Sequence, residues 1–250
     1  MSGQPDHLPD RVGRIGPYFA VRTGAPGGAP PDGFRPLREL YATGPGSPIA
    51  RKSAAAARQL GTAEPRVAAS IVHLGLAARL WSVALGTAAL GGAVPDLDPD
   101  RAHFALPPQG PLDLWLPHAF RLPRPAVTGP GDPLVEQLHR TVVVANLASL
   151  AAAVRSVAPV APRLLDGNAA SALAGTVRVL GNDPELRRTG AARTAAALAR
   201  ALLDSPPLLG TGTHTGPDPT AFRRNSCCLY YRVPGGGVCG DCVFDRPPRR

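Results

Sequence analysis

All four cysteines of this 250-residue chain fall between positions 227 and 242, near its end. They form a C-C-x10-C-x2-C pattern: Cys227 and Cys228, then Cys239 and Cys242. Scattered structural cysteines do not gather so tightly, and in a reducing compartment such a cluster reads as a metal site before it reads as two disulfides. A C-x2-C pair folds two sulfurs back onto one metal, which suits zinc and iron-sulfur clusters alike. The vicinal pair suits zinc less well, because neighbouring side chains of an extended chain point apart while one zinc needs every sulfur about 2.3 Å away. A 2Fe-2S cluster spreads four ligands over two irons and relaxes that demand. The connector Val233-Pro-Gly-Gly-Gly-Val238 reads as a hairpin-like turn whose glycine N–H groups approach the sulfurs. On spacing, iron-sulfur leads, zinc follows, and disulfides or spare thiols stay open.

The rest of the chain is long enough to bury a substantial core without help from disulfides. With 44% apolar residues and a mean hydropathy of -0.02, neither wholesale disorder nor a polytopic membrane protein fits. The net charge of +9 is almost all arginine, Lys52 being the single lysine. Those arginines are scattered and nowhere interleaved with aromatics as a stacking platform, so the charge reads as compositional and no nucleic-acid partner is expected. The longest apolar stretches, Leu80 to Pro95 and Thr141 to Val154, fall short of the roughly 18 to 20 uncharged residues of a membrane span and read as core helices. Met1 to Asp10 lacks the apolar centre of a secretory signal, which gives a cytoplasmic expectation.

The pattern predicts a mainly α fold with a small antiparallel β element (α+β), a helical-bundle body followed by a C-terminal iron-sulfur module. Residues 1–60 read as an irregular N-terminal region with a strand over Tyr18 to Val21 and a helical turn over Leu37 to Tyr41. Residues 61–204 form the helical body, 205–220 a linker, and 221–250 the cluster module. Within the body, a helical pattern starts at Ala54, breaks near Gly61 and Pro65, and resumes through Ile71, Leu80 and Leu85 to Gly91. Phe104 to Leu106 and Leu112 to Leu116 read as paired strands. Asp132-Pro133 opens a helix to about Ala158, a second runs from Pro162 to Gly181, and a third from Asp183 to Asp204. Three helices on short loops imply an antiparallel bundle.

From Arg224 the sequence runs Arg-Asn-Ser-Cys-Cys-Leu-Tyr-Tyr-Arg-Val-Pro-Gly-Gly-Gly-Val-Cys-Gly-Asp-Cys242, which resembles the C-terminal signature of FhuF-like ferric siderophore reductases. Arg79 to Gly86 and Gly167 to Leu173 also resemble that family's helical body, so the likeness covers Ile71 to Phe244. The resemblance implies a 2Fe-2S cluster on Cys227, Cys228, Cys239 and Cys242, and one-electron reduction of a chelated ferric ion. Siderophores hold Fe(III) with hard oxygen donors that hold the softer Fe(II) far less tightly, so reduction releases the metal. No nucleophile or general base is needed, which accords with a chain poor in such groups.

Other residues are weaker candidates. Trp81 reads as core; Trp115 and His118 are candidate substrate contacts, and Asn168 and Ser171, sharing one helix face at i, i+3, read first as buried hydrogen-bonding groups and second as substrate contacts. The six histidines lack metal-site spacing, Asp96 to Asp100 lacks the glycine and glutamate of a calcium loop, and Gly210 to Gly216 lacks the context of a dinucleotide fingerprint. Electrons are therefore expected from a separate donor such as a ferredoxin. Arg223, Arg224 and Arg232 flank the cysteines, where they could tune an anionic cluster or steer an acidic donor. A peripheral membrane association, at the inner face near an importer, is a further expectation. The rival classes are a zinc-stabilised adaptor and an iron-sulfur redox sensor.

Overall fold

The structure, a computed structural model, describes residues 8–25, 28–107, 110–117, 131–215 and 221–248. It is 54% helix and 8% strand, the mainly α class expected, and its organising pair is two long helices, α3 (Pro65–Gly91) and α6 (Pro162–Asn182). Both start with proline at the first helical position, where a missing N–H costs nothing. α3 stops at Gly92, whose φ of 63° gives the left-handed cap that other residues resist.

Around this pair pack α1 (Leu8–Gly13), α2 (Pro48–Leu60), α5 (Ala148–Val157) and α8 (Ala191–Leu203). Trp81 is fully buried in the core, as read from sequence, and its indole N–H donates to the Ala169 carbonyl of α6 at 3.1 Å. Two helical stretches, α3 and Pro133–Val157, are long and apolar enough to cross a membrane, which the count of uninterrupted apolar residues did not anticipate. In α3, 78% of the apolar window is buried inside the protein and Arg79 and His73 lie buried along it, so its apolarity is used in the core.

Several local expectations are corrected. The strand expected over Tyr18 to Val21 is a turn, because the buried Arg79 guanidinium takes the Tyr18 carbonyl at 2.6 Å, the Ala20 carbonyl and, through Nε, the Leu112 carbonyl at 2.7 Å. Carbonyls held by a side chain are unavailable to a ladder. The strand begins later, as β1 (Arg22–Thr23). With β2 (Arg35–Pro36), β3 (His103–Ala105) and β4 (Asp113–Leu116) it makes a sheet ordered β1-β4-β3-β2. The β3–β4 pairing is antiparallel as expected, whereas β1 runs parallel to β4, so the sheet is mixed.

α2 starts at Pro48, six residues before the apolar pattern, since Ser47 caps it by accepting from the Ala50 N–H at 3.3 Å. Asp132 caps α4 (Pro133–Leu138) as read, but the turns that follow, His139–Leu147, are π-helical. Buried Asn146 there donates to the carbonyls of Thr141 and Leu97 and accepts from the Tyr41 hydroxyl at 2.6 Å, an inserted side chain of the kind that widens a helix. The third bundle helix is two, α7 (Pro184–Thr189) and α8, parted by Gly190 at φ 85°.

In the stretch read as linker, β5 (Gly212–His214) pairs antiparallel with β6 (Phe222–Arg224), which leads into the cysteines. β6 packs on α6. Gly167 makes that approach feasible: a Cβ there would run into the Ser226 hydroxyl and come within 3.2 Å of Arg224 Nη2.

Candidate metal centre

The four thiols are free, Cys228 buried and the other three half-buried. Cys228 and Cys239 bring their sulfurs to 3.6 Å, near the spacing of about 3.8 Å for two thiolates on one tetrahedral metal with bonds of ~2.3 Å. Among the described residues no three metal-ligating side chains are closed around one point.

Two of the sulfurs accept a backbone N–H from the residue two positions on, Leu229 donating to Cys227 at 3.2 Å and Phe244 to Cys242 at 3.4 Å. The backbone of Tyr230 and of Asp241 favours the thiolate at Cys228 and Cys239 in the same sense. Leu229 reaches its place with a φ of 71°, the one non-glycine residue in the left-handed region among those described. The donors are thus the residues following the cysteines and not the glycine connector. That connector instead closes on itself, Gly236 N–H to the Val233 carbonyl at 2.8 Å, with the Tyr230 carbonyl so near that a Cβ at Gly236 would clash with it.

A hydrogen bond from the Cys228 thiol brings Cys227 down to about 7, with the Leu229 N–H helping. The thiols of Cys228 and Cys239 are pushed up, chiefly by sharing protons with their neighbours and then by burial. The Arg224 charge favours the thiolate at Cys227, Cys228 and Cys239. An all-sulfur donor set with amide N–H groups on two of its sulfurs and a buried cation beside it fits a thiolate-held cluster.

Arg224 is the least expected part of the site. Only 1% exposed, it lies under the module with Nη2 donating to Asn168 Oδ1 at 2.7 Å, while its Nε and Nη1 have no hydrogen-bond partner. Leaving buried guanidinium N–H groups unmatched is costly unless an anionic acceptor completes them. Asn168 in turn donates to Ser70 Oγ at 3.0 Å, and Ser70 donates to the Cys228 carbonyl at 2.8 Å. One buried relay therefore links the body to the cysteine loop.

A second tie runs through Asp241, between the C-terminal cysteines. It accepts from Ser171 Oγ at 2.7 Å and pairs with Arg178. Asn168 and Ser171, named from sequence as one face of a helix, are thus the two posts on α6 that hold the module. The partners Ser70, Arg178 and Asp241 were missed, since nothing in a serine, a surface arginine or a Gly-Asp pair marks it as a tether.

The other candidates fall elsewhere. Arg223 is exposed, bound to the Val243 carbonyl and to Asp245 at 2.8 Å, and Arg232 pairs with Glu64 at 2.8 Å. Trp115 is buried in the sheet, edge-on to His103 with ring centres 5.3 Å apart. His118 lies outside the described residues.

These features define a class, a helical body carrying a small module with a four-cysteine, all-sulfur donor set. Residues 224–244, the cysteine module alone, match the family described as the FhuF 2Fe-2S C-terminal domain, which supports a 2Fe-2S cluster as the cofactor held there. That domain suggests an iron-sulfur reductase-type role in siderophore-iron chemistry. No curated protein is significantly similar to the chain.

Proposed function

We propose that the protein reduces siderophore-bound Fe(III) to Fe(II) by one-electron outer-sphere transfer, releasing iron in the cytoplasm. The observation that carries the reading is the four-cysteine loop that matches a 2Fe-2S domain, tied at two buried points to the helical body. Cys227, Cys228, Cys239 and Cys242 would hold the cluster, which supplies one electron at a time. The chain's own task is then to hold the thiolates, set their electrostatics and admit the chelate.

Of the three flanking arginines, Arg224 takes the tuning role. Its buried positive charge and two unmatched N–H groups favour added electron density on the cysteine loop, so it raises the reduction potential. Arg223, at the surface, belongs to the encounter with an acidic donor protein of ferredoxin type. The reading places the protein in the cytoplasm, with contact at the inner membrane surface near the site of siderophore entry.

The test is to reduce the anaerobically purified holoprotein with a stoichiometric donor, remove excess reductant, and add ferric siderophore with a ferrous chelator present. Recovery of the oxidised spectrum with one Fe(II) per cluster supports the reading. A reduced cluster that ferric siderophores leave untouched excludes it and favours a sensor.

A further inference from the structure

Outer-sphere transfer requires the chelate to rest within short reach of the cluster, which needs a surface shaped for it beside a cysteine. Between α3 and α6 lies an open cavity of about 460 Å³ whose lining includes Cys239. Three other clefts of comparable size, about 470, 390 and 360 Å³, include no cysteine among their described lining residues. The sequence creates the trough: Leu74, Ala78 and Ser82 recur every four residues along α3, and Ala172, Gly175 and Val179 face them from α6. Small side chains at the centre of both faces leave room that a leucine pair would fill. Gly175 has nothing within 4 Å of where its Cβ would be, and Val179, at the open side, is 45% exposed.

The lining carries no unmatched charge. Its one carboxylate, Asp241, is engaged by Arg178 and Ser171, and the Ser82 and Thr176 hydroxyls face each other at 3.4 Å. The cleft of about 470 Å³, by contrast, is lined by Arg51 and Lys52. An apolar floor with neutral hydroxyls and a neutralised carboxylate complements a chelate whose ligand charges cancel those of the metal. It gives nothing to a polyanionic one.

We propose that the α3–α6 trough ending at Cys239 is the docking site for the organic shell of an electrically neutral ferric chelate, setting both its distance from the cluster and its selection by charge. This rests on the reductase reading above. In the step itself one electron would pass from the reduced cluster held by Cys227, Cys228, Cys239 and Cys242 to the chelated Fe(III), leaving Fe(II), and a reduced ferredoxin-type donor would supply its replacement.

Binding can be read apart from electron transfer with redox-inert gallium(III) complexes. Calorimetric titration of the holoprotein would use a neutral gallium trishydroxamate and a trianionic gallium triscatecholate as probes. The wild type is expected to bind the neutral complex, and Gly175→Trp and Val179→Arg each to weaken it roughly tenfold or more, a loss of about 1.4 kcal/mol per tenfold. Lys52→Ala, in the separate basic cleft, should bind as wild type. In all three variants the visible and EPR spectra of the cluster stay unchanged. Unaltered affinity in both blocking variants, or tighter binding of the trianion, would overturn the trough as the site. No gallium binding by a wild type that ferric chelates nonetheless oxidise would overturn it equally. A wild-type cluster that no ferric chelate oxidises instead defeats the reductase reading, a separable result.

Discussion

Arg224 Nη2 and Asn168 Oδ1 stand 2.7 Å apart in the buried interior, and this contact joins the cysteine module to the helical body. Asn168 spends both ends of its amide, accepting from Arg224 and donating to Ser70. Asn168→Ala leaves a guanidinium N–H and a serine carrying the Cys228 carbonyl without their partner. Unfolding by urea should show a loss of about 1–3 kcal/mol, and the visible absorbance should decay faster under a chelator. A variant with wild-type stability and cluster lifetime would contradict the relay.

The Arg224 charge predicts a shift in potential. Arg224→Met removes a buried cation from an anionic centre and should lower the midpoint on the order of 50 mV, a tenfold change in a one-electron equilibrium being about 59 mV. Arg224→Lys should recover part of it by returning the charge without the fork, and Arg223→Ala, at the surface, should leave it near wild type. Dye-mediated titration followed by EPR distinguishes these outcomes; equal potentials in all four proteins would remove Arg224 from the tuning role.

His73 predicts an acid sensitivity. Burial, with the Arg224 charge adding, holds its pKa down to about 3, and its Nδ1 has no hydrogen-bond partner. The unfolded chain takes up this proton below about 6.5 while the folded one refuses it until about 3, so the unfolded state binds more protons across that window. Stability attributable to His73 therefore falls as pH drops from about 6.5 towards 3, by up to ~1.4 kcal/mol per pH unit. His73→Leu should flatten that part of the stability–pH curve, and an unchanged slope would count against a neutral buried His73.

Gly167 is the point of closest approach between α6 and the module. In Gly167→Val the added methyls meet the Ser226 hydroxyl and Arg224, an overpacking cost of about 1–3 kcal/mol. The effect should concentrate at the C-terminal module, with hydrogen exchange accelerated over 222–244 and little changed in the α2–α3 contact. Uniform exchange along the chain would contradict a local docking role.

The parts of this molecule that were readable from sequence are those where one residue type admits one chemistry. Four cysteines at this spacing point to a thiolate centre, and Asp132 and Asp183 mark helix starts by capping logic. The strand misplaced at Tyr18 shows where such reading fails: Arg79, far along the chain, claims those carbonyls, and a side chain acting on a distant backbone leaves no local trace. Arg224 is a similar case. Sequence placed it with Arg223 and Arg232 as equal neighbours of the cluster, yet strand alternation in β6 turns Arg223 to solvent and Arg224 into the core. Asp241 and Ser70 carry no signal of their own because their importance lies in what they meet.

The central claim is tested most directly by anaerobic stopped-flow spectroscopy of the dithionite-reduced holoprotein, freed of reductant and mixed with ferric siderophore. The account predicts that the oxidised visible spectrum returns, the reduced-cluster EPR signal disappears, and Fe(II) appears at one per cluster. A colourless protein with bound zinc and no iron, or a reduced cluster that persists in the presence of ferric siderophores, would contradict it.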